Sequence, residues 1–396
     1  MSDSADKKNT VLTLIKSNIR SYTMFLVLVA IMAVFAFRTG GTNLNSRNFT
    51  NIFIQYSYVL ILAVGMVQVM IIGCVDLSVG SVCAFVGAVS AMVYNTGVGM
   101  VPTLLVALII GLLIGAFQGF WVAYLKIPAF IVTLAGMLLF RGLTYIITNI
   151  NPIGLKDDGY KQMASGMLDF PALEFGGVHY TALIIGAALF IIYAAAECIS
   201  RQKRIRNKFE ITPLPLFIGK LVILGVLIIG LAQRFATYRG LPNVVIVLGI
   251  TVFVFNFIMK NTVLGRYIYA VGGNARSAKL SGINSELVSF LVFCIMGLLT
   301  GLAAVVSTGY MNSALPQAGN LFEMDAIAAC YIGGVSASGG IGTVFGVIIG
   351  GLVMSAINNG MSLMNLGQHY QYVVKAAVVL LAVFYDVYTR RKSGLG

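Results

Sequence analysis

Charged residues are scarce in this chain of 396 residues. Asp, Glu, Lys and Arg together make up 10% of it, whereas a soluble domain carries about 25%. Hydrophobic residues account for 59% of the sequence. So low a charge content excludes an ordinary soluble domain and indicates an integral membrane protein.

The motifs for ATP hydrolysis and for hydrolytic catalysis are missing as well. No GxxxxGK[ST] occurs, and the glycine-rich run from Tyr331 to Gly342 contains no lysine. There is neither HExxH nor GxSxG, and the two histidines, His179 and His369, have no neighbouring carboxylate in the sequence. We therefore predict that the chain is not an enzyme and holds neither a metal nor a cofactor. ATP-driven work would need another subunit.

The cysteines show no metal-binding spacing. All of them lie in or beside apolar runs, where cysteine usually serves as a small packing residue. We interpret them in that way. They are Cys74, Cys83, Cys198, Cys294 and Cys330.

The chain is built largely from apolar segments, many of them near the roughly 20 residues that a helix needs to cross a bilayer. Two pairs of segments are separated only by a short polar step. The predicted fold is therefore an all-α membrane bundle of about 10–12 transmembrane helices with discontinuous or re-entrant segments. The segments are about 22–37, 52–73, 79–95, 101–125, 129–149, 180–199, 214–232, 242–259, 287–308, 324–338, 341–359 and 371–388.

Lysine and arginine are unevenly distributed between the connecting loops. If the N-terminus is cytoplasmic, 18 of the 26 fall on the inner face and 6 on the outer face. Because cytoplasmic loops carry an excess of these residues, we predict that both termini are cytoplasmic. The predicted parts are an N-terminal tail (1–20), one transmembrane domain (21–388) with an outer loop (151–180) and two cytoplasmic loops (200–213 and 260–287), and a C-terminal tail (389–396).

Three charged residues break the membrane pattern. Asp76 lies between two apolar segments, and a charge at bilayer depth costs roughly 2.5–3.5 kcal/mol on insertion scales. Two interpretations of Asp76 stay open: a discontinuous helix that lines a pathway, or an interfacial turn that caps the next helix. Arg141 and Lys375 either pair with Asp76 or Asp325 or extend to the interface. For Lys375 we favour extension to the interface, and Arg141 stays open.

Glycine recurs at every fourth position in two segments. One series is Gly111, Gly115 and Gly119, and the other is Gly342, Gly346 and Gly350. On a helix, each series forms one smooth face against which another backbone can lie closely. We interpret both as packing surfaces and predict no binding site from them.

Five strings, taken together and in order, resemble the permease subunits of bacterial monosaccharide ATP-binding-cassette importers, the ribose, xylose, arabinose and galactose branch. The resemblance runs from about residue 45 to 386. Its length and an extra pair of spans around residues 201–210 are similar to the xylose and multiple-sugar type. The strings are IIGCVDLSVGSV (71–82), PAFIVTLAGMLLFRGLT (128–144), GRYIYAVGGNARSAKLSGIN (265–284), AGNLFEMDAIAACYIGG (318–334) and YQYVVKAAVVLLAV (370–383).

The resemblance implies a multi-pass protein of the bacterial inner membrane that forms a homodimer. It implies two further partners, a cytoplasmic ATPase that holds the ATP and Mg, and an extracytoplasmic sugar-binding protein; no nucleic acid is involved. The loop at 260–287 would then seat a short helix, a rigid knob on flexible glycine ends, in a groove of the ATPase. The matching residues of this ATPase-coupling loop are Gly272, Gly273, Asn274, Arg276, Ala278, Lys279, Leu280, Ser281 and Gly282.

The implied cargo is a monosaccharide, either a pentose such as xylose or several sugars. A neutral molecule with many hydroxyls needs amides, hydroxyls and aromatic faces along its path. The candidates are Gln68, Asp76, Ser78, Asn312, Tyr331, Asn358 and Asn359. The alternative is a stand-alone secondary sugar transporter or facilitator, which would transport without any ATPase.

Overall fold

A computed structural model describes residues 24–168, 170, 173–209 and 213–392 of the chain. The predicted N-terminal tail lies outside the described residues, as do residues 393–396 of the C-terminal tail. Helices dominate the described part. They are α1 (Met24–Arg38), α2 (Ser46–Ile71), α3 (Val79–Val93), α4 (Met100–Ala123), α5 (Ala129–Thr148), α6 (Tyr180–Arg206), α7 (Leu214–Ala236), α8 (Asn243–Asn261), α9 (Val263–Leu280), α10 (Ser285–Met311), α11 (Phe322–Ile332), α12 (Val344–Leu363) and α13 (Gln368–Lys392).

In the described part of the chain, six two-residue strands join the loops in antiparallel pairs. The strands are β1 (Ile153–Gly154), β2 (Met167–Leu168), β3 (Glu174–Phe175), β4 (Val178–His179), β5 (Leu241–Pro242) and β6 (Ser313–Ala314). β1 pairs with β6, β2 with β5 and β3 with β4. The first two pairs connect the predicted outer loop to residues that are distant in the sequence.

Within the described residues, nine helices are long and apolar enough to cross a membrane. They confirm the predicted all-helical, polytopic membrane fold. The described part of α1 is shorter than these, and α11 has only 11 residues, about half of a full span. The predicted segment at 324–338 is therefore a half-helix followed by a turn. The nine helices are α2, α3 with the π-turn that extends it to Val98, α4, α5, α6, α7, α8, α10 and α12.

The loops separate into two groups at opposite ends of the bundle. At one end, Lys126 of the α4–α5 loop lies 3.0 Å from Glu286, near the C-terminal end of the loop at 260–287. At the other end, β1 and β6 pair, so the outer loop lies beside the C-terminal end of α10. This grouping agrees with the alternation on which the lysine and arginine count depends. Which end faces the cytoplasm stays a prediction from that count.

The predicted outer loop is anchored by tyrosine side chains. Tyr160 is fully buried, and its hydroxyl lies 2.7 Å from that of Ser90 on α3. The Tyr94 hydroxyl and the Gly159 N–H donate to the carboxylate of Asp157. These hydrogen bonds hold the pKa of the Asp157 carboxyl below its usual range. The loop is thus attached to the bundle rather than merely solvated.

The centre of the bundle is α2. Of the most apolar 18-residue stretch of this helix, 83% is buried inside the protein, and α10, α11, α12 and α8 surround it. A helix that is apolar on all sides is expected at such a position. The α6–α7 hairpin lies at the periphery instead. Only 11% of the most apolar stretch of α6 and 6% of that of α7 is buried. These two helices are the additional pair of spans noted in the sequence.

The first glycine series packs as predicted, and so do two members of the second, whereas Gly342 precedes α12 and is not on its face. A Cβ added to Gly111 would overlap the carbonyl oxygen of Gly297, and one added to Gly115 would overlap that of Phe293. The backbones of α4 and α10 are therefore in direct contact along a glycine seam, which we define as Gly111 and Gly115 against Gly297 and Gly301. In the second series, Gly346 and Gly350 lie against the backbone of α11 at Gly333 and Ala329.

Candidate functional site

Two breaks between helices concern the candidate site, and the first lies between α2 and α3. α2 ends at Ile71, and seven residues pass before α3 begins at Val79. Within this break Asp76 is 3% exposed, and its Oδ1 accepts hydrogen bonds from the Ser78 N–H at 2.9 Å and from the Ser78 hydroxyl at 2.6 Å. Gln118 of α4 donates to the same hydroxyl at 2.8 Å. Asp76 therefore shapes the turn that leads into α3, whose N-cap residue is Ser78. A role of Asp76 in lining a pathway stays a prediction.

A second break lies between α10 and α11. Asn312 ends α10 with φ at 56°, a left-handed conformation that asparagine tolerates. The following loop is held by Arg141 of α5, whose Nη1 donates to the carbonyls of Pro316 at 3.1 Å and Ala318 at 2.6 Å. Arg141 thus forms hydrogen bonds with backbone carbonyls in the bundle, an arrangement that the sequence left undetermined.

The two breaks meet at Gly80 and Gly319. A Cβ on either residue would overlap the carbonyl oxygen of the other, so the backbones touch. The N-terminal ends of α3 and α11 lie together at this point. Glu323, in the first turn of α11, places its Oε2 beside Gly80 and is only 8% exposed. A carboxylate is favourable at helix N-termini because the aligned peptide dipoles leave partial positive charge there.

Asp325, two residues further along α11, forms a buried ion pair. Its Oδ2 lies 2.9 Å from the Nζ of Lys375 on α13. The prediction that Lys375 extends to the interface was therefore wrong. The side chain faces a carboxylate of its own protein, and pairing two charges costs less than exposing each of them to an apolar medium.

The remaining pathway candidates do not converge on one cluster of contacts. Gln68 is fully buried and donates to the Val64 carbonyl of its own helix at 3.2 Å. Asn359 exchanges amide hydrogen bonds with Asn48 of α2 at 2.8 and 3.0 Å, which is a structural bridge. Asn358, beside it on α12, is 3% exposed. Tyr331, at the C-terminal end of α11, is half-buried against the core.

Sequence reasoning overlooked two buried polar residues of this region, Gln118 and Glu323. Gln118 lies inside the predicted segment 101–125, and Glu323 immediately precedes the segment at 324–338; a polar residue at these positions was the available signal. Gln118 sits within the first glycine series, and that series accounted for its segment as a packing surface. Within the described part of the chain, no three His, Cys, Asp or Glu residues lie close enough to hold a metal ion.

The loop at 260–287 is mostly helix. α9 runs from Val263 to Leu280 and changes direction at Asn274, where φ and ψ are −161° and 100°. The Asn274 side chain accepts a hydrogen bond from the Ser277 N–H at 2.9 Å, so it caps a short terminal helical piece. Gly282 follows with φ at 84° and ends this piece. Gly272 is not a flexible end, since its Cα lies against the backbone of Ile71.

The terminal piece of α9 presents an apolar side chain to solvent. Leu280 is 85% exposed, and Arg276, Ser281 and Gly282 around it are exposed too. Lys279 instead lies 2.9 Å from Glu286, which it shares with Lys126. We call residues Ala275–Gly282 the knob. Its exposed leucine and exposed arginine suit a partner with an apolar groove and acidic residues.

We expect the replacement of Arg141 by methionine to destabilise the folded protein. One hydrogen bond to a charged group is worth about 1.5–3 kcal/mol, and two carbonyls would lose theirs. The matched variant is Lys126→Met, which breaks an exposed ion pair worth less than about 1 kcal/mol. In detergent, the thermal unfolding temperature should fall clearly for Arg141→Met and change little for Lys126→Met. Equal unfolding temperatures would contradict the assigned role of Arg141.

A family model described as branched-chain amino acid transport system / permease component matches residues 48–383. The xylose transport system permease protein XylH of Escherichia coli strain K12 is 38% identical over 377 residues, 95% of this chain and 94% of its own length. XylH of Haemophilus influenzae is 36% identical over 95% of this chain and 98% of its own length. The ribose import permease protein RbsC of Escherichia coli strain K12 is 33% identical over 93% of this chain and 92% of its own length. No solved structure matches the chain.

Proposed function

The chain belongs to the family of branched-chain amino acid transport system permease components, and on that premise we propose that it is the membrane permease of a sugar importer. The observation that carries the proposal is the 38% identity to a xylose permease along 95% of the chain. The family description alone would also admit amino acids as cargo. Full-length similarity to both xylose and ribose permeases favours a monosaccharide, and the xylose relatives favour a pentose such as xylose, or several monosaccharides.

The energy in this proposal comes from a separate ATPase. The sequence has no phosphate-binding loop, so ATP and Mg would be held by the partner. The knob supports this assignment because it offers an 85% exposed leucine at a helix end that is otherwise polar. Burying a leucine side chain in a partner's groove contributes about 1.5–3 kcal/mol. Lys279 contributes less to this contact than Arg276, because Glu286 already pairs with it.

The rest of the proposed assembly follows from the resemblance. A second copy of the chain would complete the transport path, and an extracytoplasmic binding protein would deliver the sugar to the end of the bundle that carries the β1–β6 pair. The path itself would pass near the two breaks, where Asp76, Ser78 and Gln118 supply hydroxyl and amide groups. Alternating access would move these broken segments relative to the continuous helices.

Reconstitution tests the proposal directly. Proteoliposomes would contain this chain with its candidate ATPase, and the binding protein loaded with labelled xylose or ribose would be added on the opposite face. We expect uptake that requires both ATP and the ATPase. Vesicles that contain this chain alone are the control, and we expect no uptake from them. Transport by the chain alone would overturn the proposal in favour of a secondary transporter or facilitator.

A further inference from the structure

Three separate segments of the chain meet at one backbone atom, the carbonyl oxygen of Ile71 at the end of α2. The N–H of Gly340, in the turn between α11 and α12, donates to this oxygen at 2.8 Å. Gly272 of α9 packs onto the same carbonyl so closely that an added Cβ would overlap the oxygen and lie 2.9 Å from the nitrogen of Gly340. We call Ile71, Gly272 and Gly340 the junction. All of its contacts are between backbone atoms.

Each segment of the junction leads to a different part of the transport machinery. α9 continues from Gly272 into the knob. The chain after Ile71 enters the first break, which contains Asp76. The turn that carries Gly340 is the C-terminal continuation of α11, whose N-terminal end lies in the second break. The junction is therefore the place where the knob contacts the chain on its way to both breaks.

A second contact ties α9 to the same turn. The hydroxyl of Tyr269, one helical turn before Gly272, donates to the carbonyl of Gly342 at 2.7 Å. The turn is also closed on itself, because the N–H of Ser336 donates to the carbonyl of Ile341 at 2.9 Å. A turn held at two points and closed internally moves as one piece when α9 moves.

Given the proposed function, we propose that the junction transmits displacement of the knob to both breaks at once, with Gly272 and Tyr269 as its positioning residues. The physical reason is the absence of side chains at the contact. A side chain can absorb a displacement by changing rotamer, whereas two backbones in contact must move together. A displacement of α9 by the ATPase therefore reaches Ile71 and Gly340 with little loss.

Mere packing would explain the same close contact, and the two possibilities differ in what a small change does. A packing defect lowers stability and leaves the stoichiometry of transport unchanged. A defect in transmission lets the ATPase turn over without moving sugar. The quantity to measure is therefore the number of ATP molecules hydrolysed per sugar transported, in proteoliposomes that contain the complete importer.

The first pair of variants is Gly272→Ala and Gly249→Ala. The added methyl group at position 272 collides with the Ile71 carbonyl, which cannot move aside without shifting α2. At position 249, an exposed residue of α8 outside the coupling loop, the same methyl group meets nothing within 4 Å. We expect ATP hydrolysed per sugar to rise sharply for Gly272→Ala and to stay at the wild-type value for Gly249→Ala.

The second pair keeps the inference testable if Gly272→Ala does not fold. Tyr269→Phe removes one hydroxyl without changing the ring, and Tyr267→Phe makes the same change at an exposed position of the same helix. We expect ATP hydrolysed per sugar to rise about two- to tenfold for Tyr269→Phe alone, the factor that one hydrogen bond is worth.

The outcomes separate this inference from the proposed function. If wild-type vesicles take up no sugar with ATP, the proposed function fails. If wild-type vesicles transport normally, the inference depends on the variants. It is overturned if Tyr269→Phe, or Gly272→Ala that has folded, hydrolyses as much ATP per sugar as the wild type, because the junction then does not transmit the displacement. The inference is supported if ATP hydrolysed per sugar rises for Tyr269→Phe and Gly272→Ala and stays at the wild-type value for both control variants.

Discussion

Replacing Leu280 with glutamate is expected to abolish sugar uptake while the protein still folds and reaches the membrane. The side chain is 85% exposed, so the substitution removes no packing inside the chain. In the proposed complex, however, this side chain enters a groove of the ATPase. A carboxylate there would be desolvated without a partner, which costs more than the leucine contributed. Uptake in proteoliposomes and co-purification of the ATPase are the two measurements.

The matched control is Leu44→Glu. Leu44 is also an exposed leucine, at 42%, and it lies before α2 at the end of the bundle opposite the knob. We expect this variant to retain ATPase binding and uptake. Normal uptake by Leu280→Glu would show that the knob is not the surface that receives force from the ATPase, and loss of both activities in Leu44→Glu would show that the assay reports general damage.

Breaking the ion pair between Asp325 and Lys375 is expected to destabilise the protein strongly. Either Asp325→Leu or Lys375→Met leaves one charge buried without its partner, which typically costs about 3–5 kcal/mol in the free energy of unfolding. The double variant removes both charges, and we expect it to recover most of the lost stability. Thermal unfolding in detergent and the amount of protein in the membrane would measure these differences.

An exposed pair provides the comparison for this double-mutant cycle. Lys220 and Glu197 lie 2.8 Å apart on the peripheral α6–α7 hairpin, with side chains 54% and 30% exposed. Glu197→Gln should therefore change the unfolding free energy by less than about 1 kcal/mol. If the Asp325 and Lys375 variants were equally mild, the two charges would be solvated in the folded protein, and α11 would not be attached to α13 by their attraction.

Hydropathy and charge identified much of this architecture. Runs of about 20 apolar residues become helices because only helices satisfy every backbone hydrogen bond in lipid. The polar step at Asp76 was recognised as a break for the same reason, and the four-residue glycine spacing indicated close packing. These features depend on residues near one another in the sequence, and local patterns are sufficient to predict them.

Local sequence patterns could not predict the contacts between segments that are distant in the sequence. Lys375 and Asp325 are 50 positions apart, and nothing local determines how α13 is rotated relative to α11. Glu323 was overlooked although it lies two residues before Asp325, because its environment depends on Gly80 of another helix. For α9, the family resemblance implied a knob on flexible glycine ends. The tertiary contact of Gly272 with Ile71 instead fixes one of those glycines inside a helix.

The glycine seam between α4 and α10 has a mechanical consequence. At each glycine of the seam, a carbonyl group of the neighbouring helix occupies the space that a side chain would take. Neither helix can therefore slide or rotate against the other without a steric clash. We therefore expect α4 and α10 to move as one rigid body in the proposed transport cycle. The broken ends of α2, α3 and α11 would then be the parts that shift against this rigid pair.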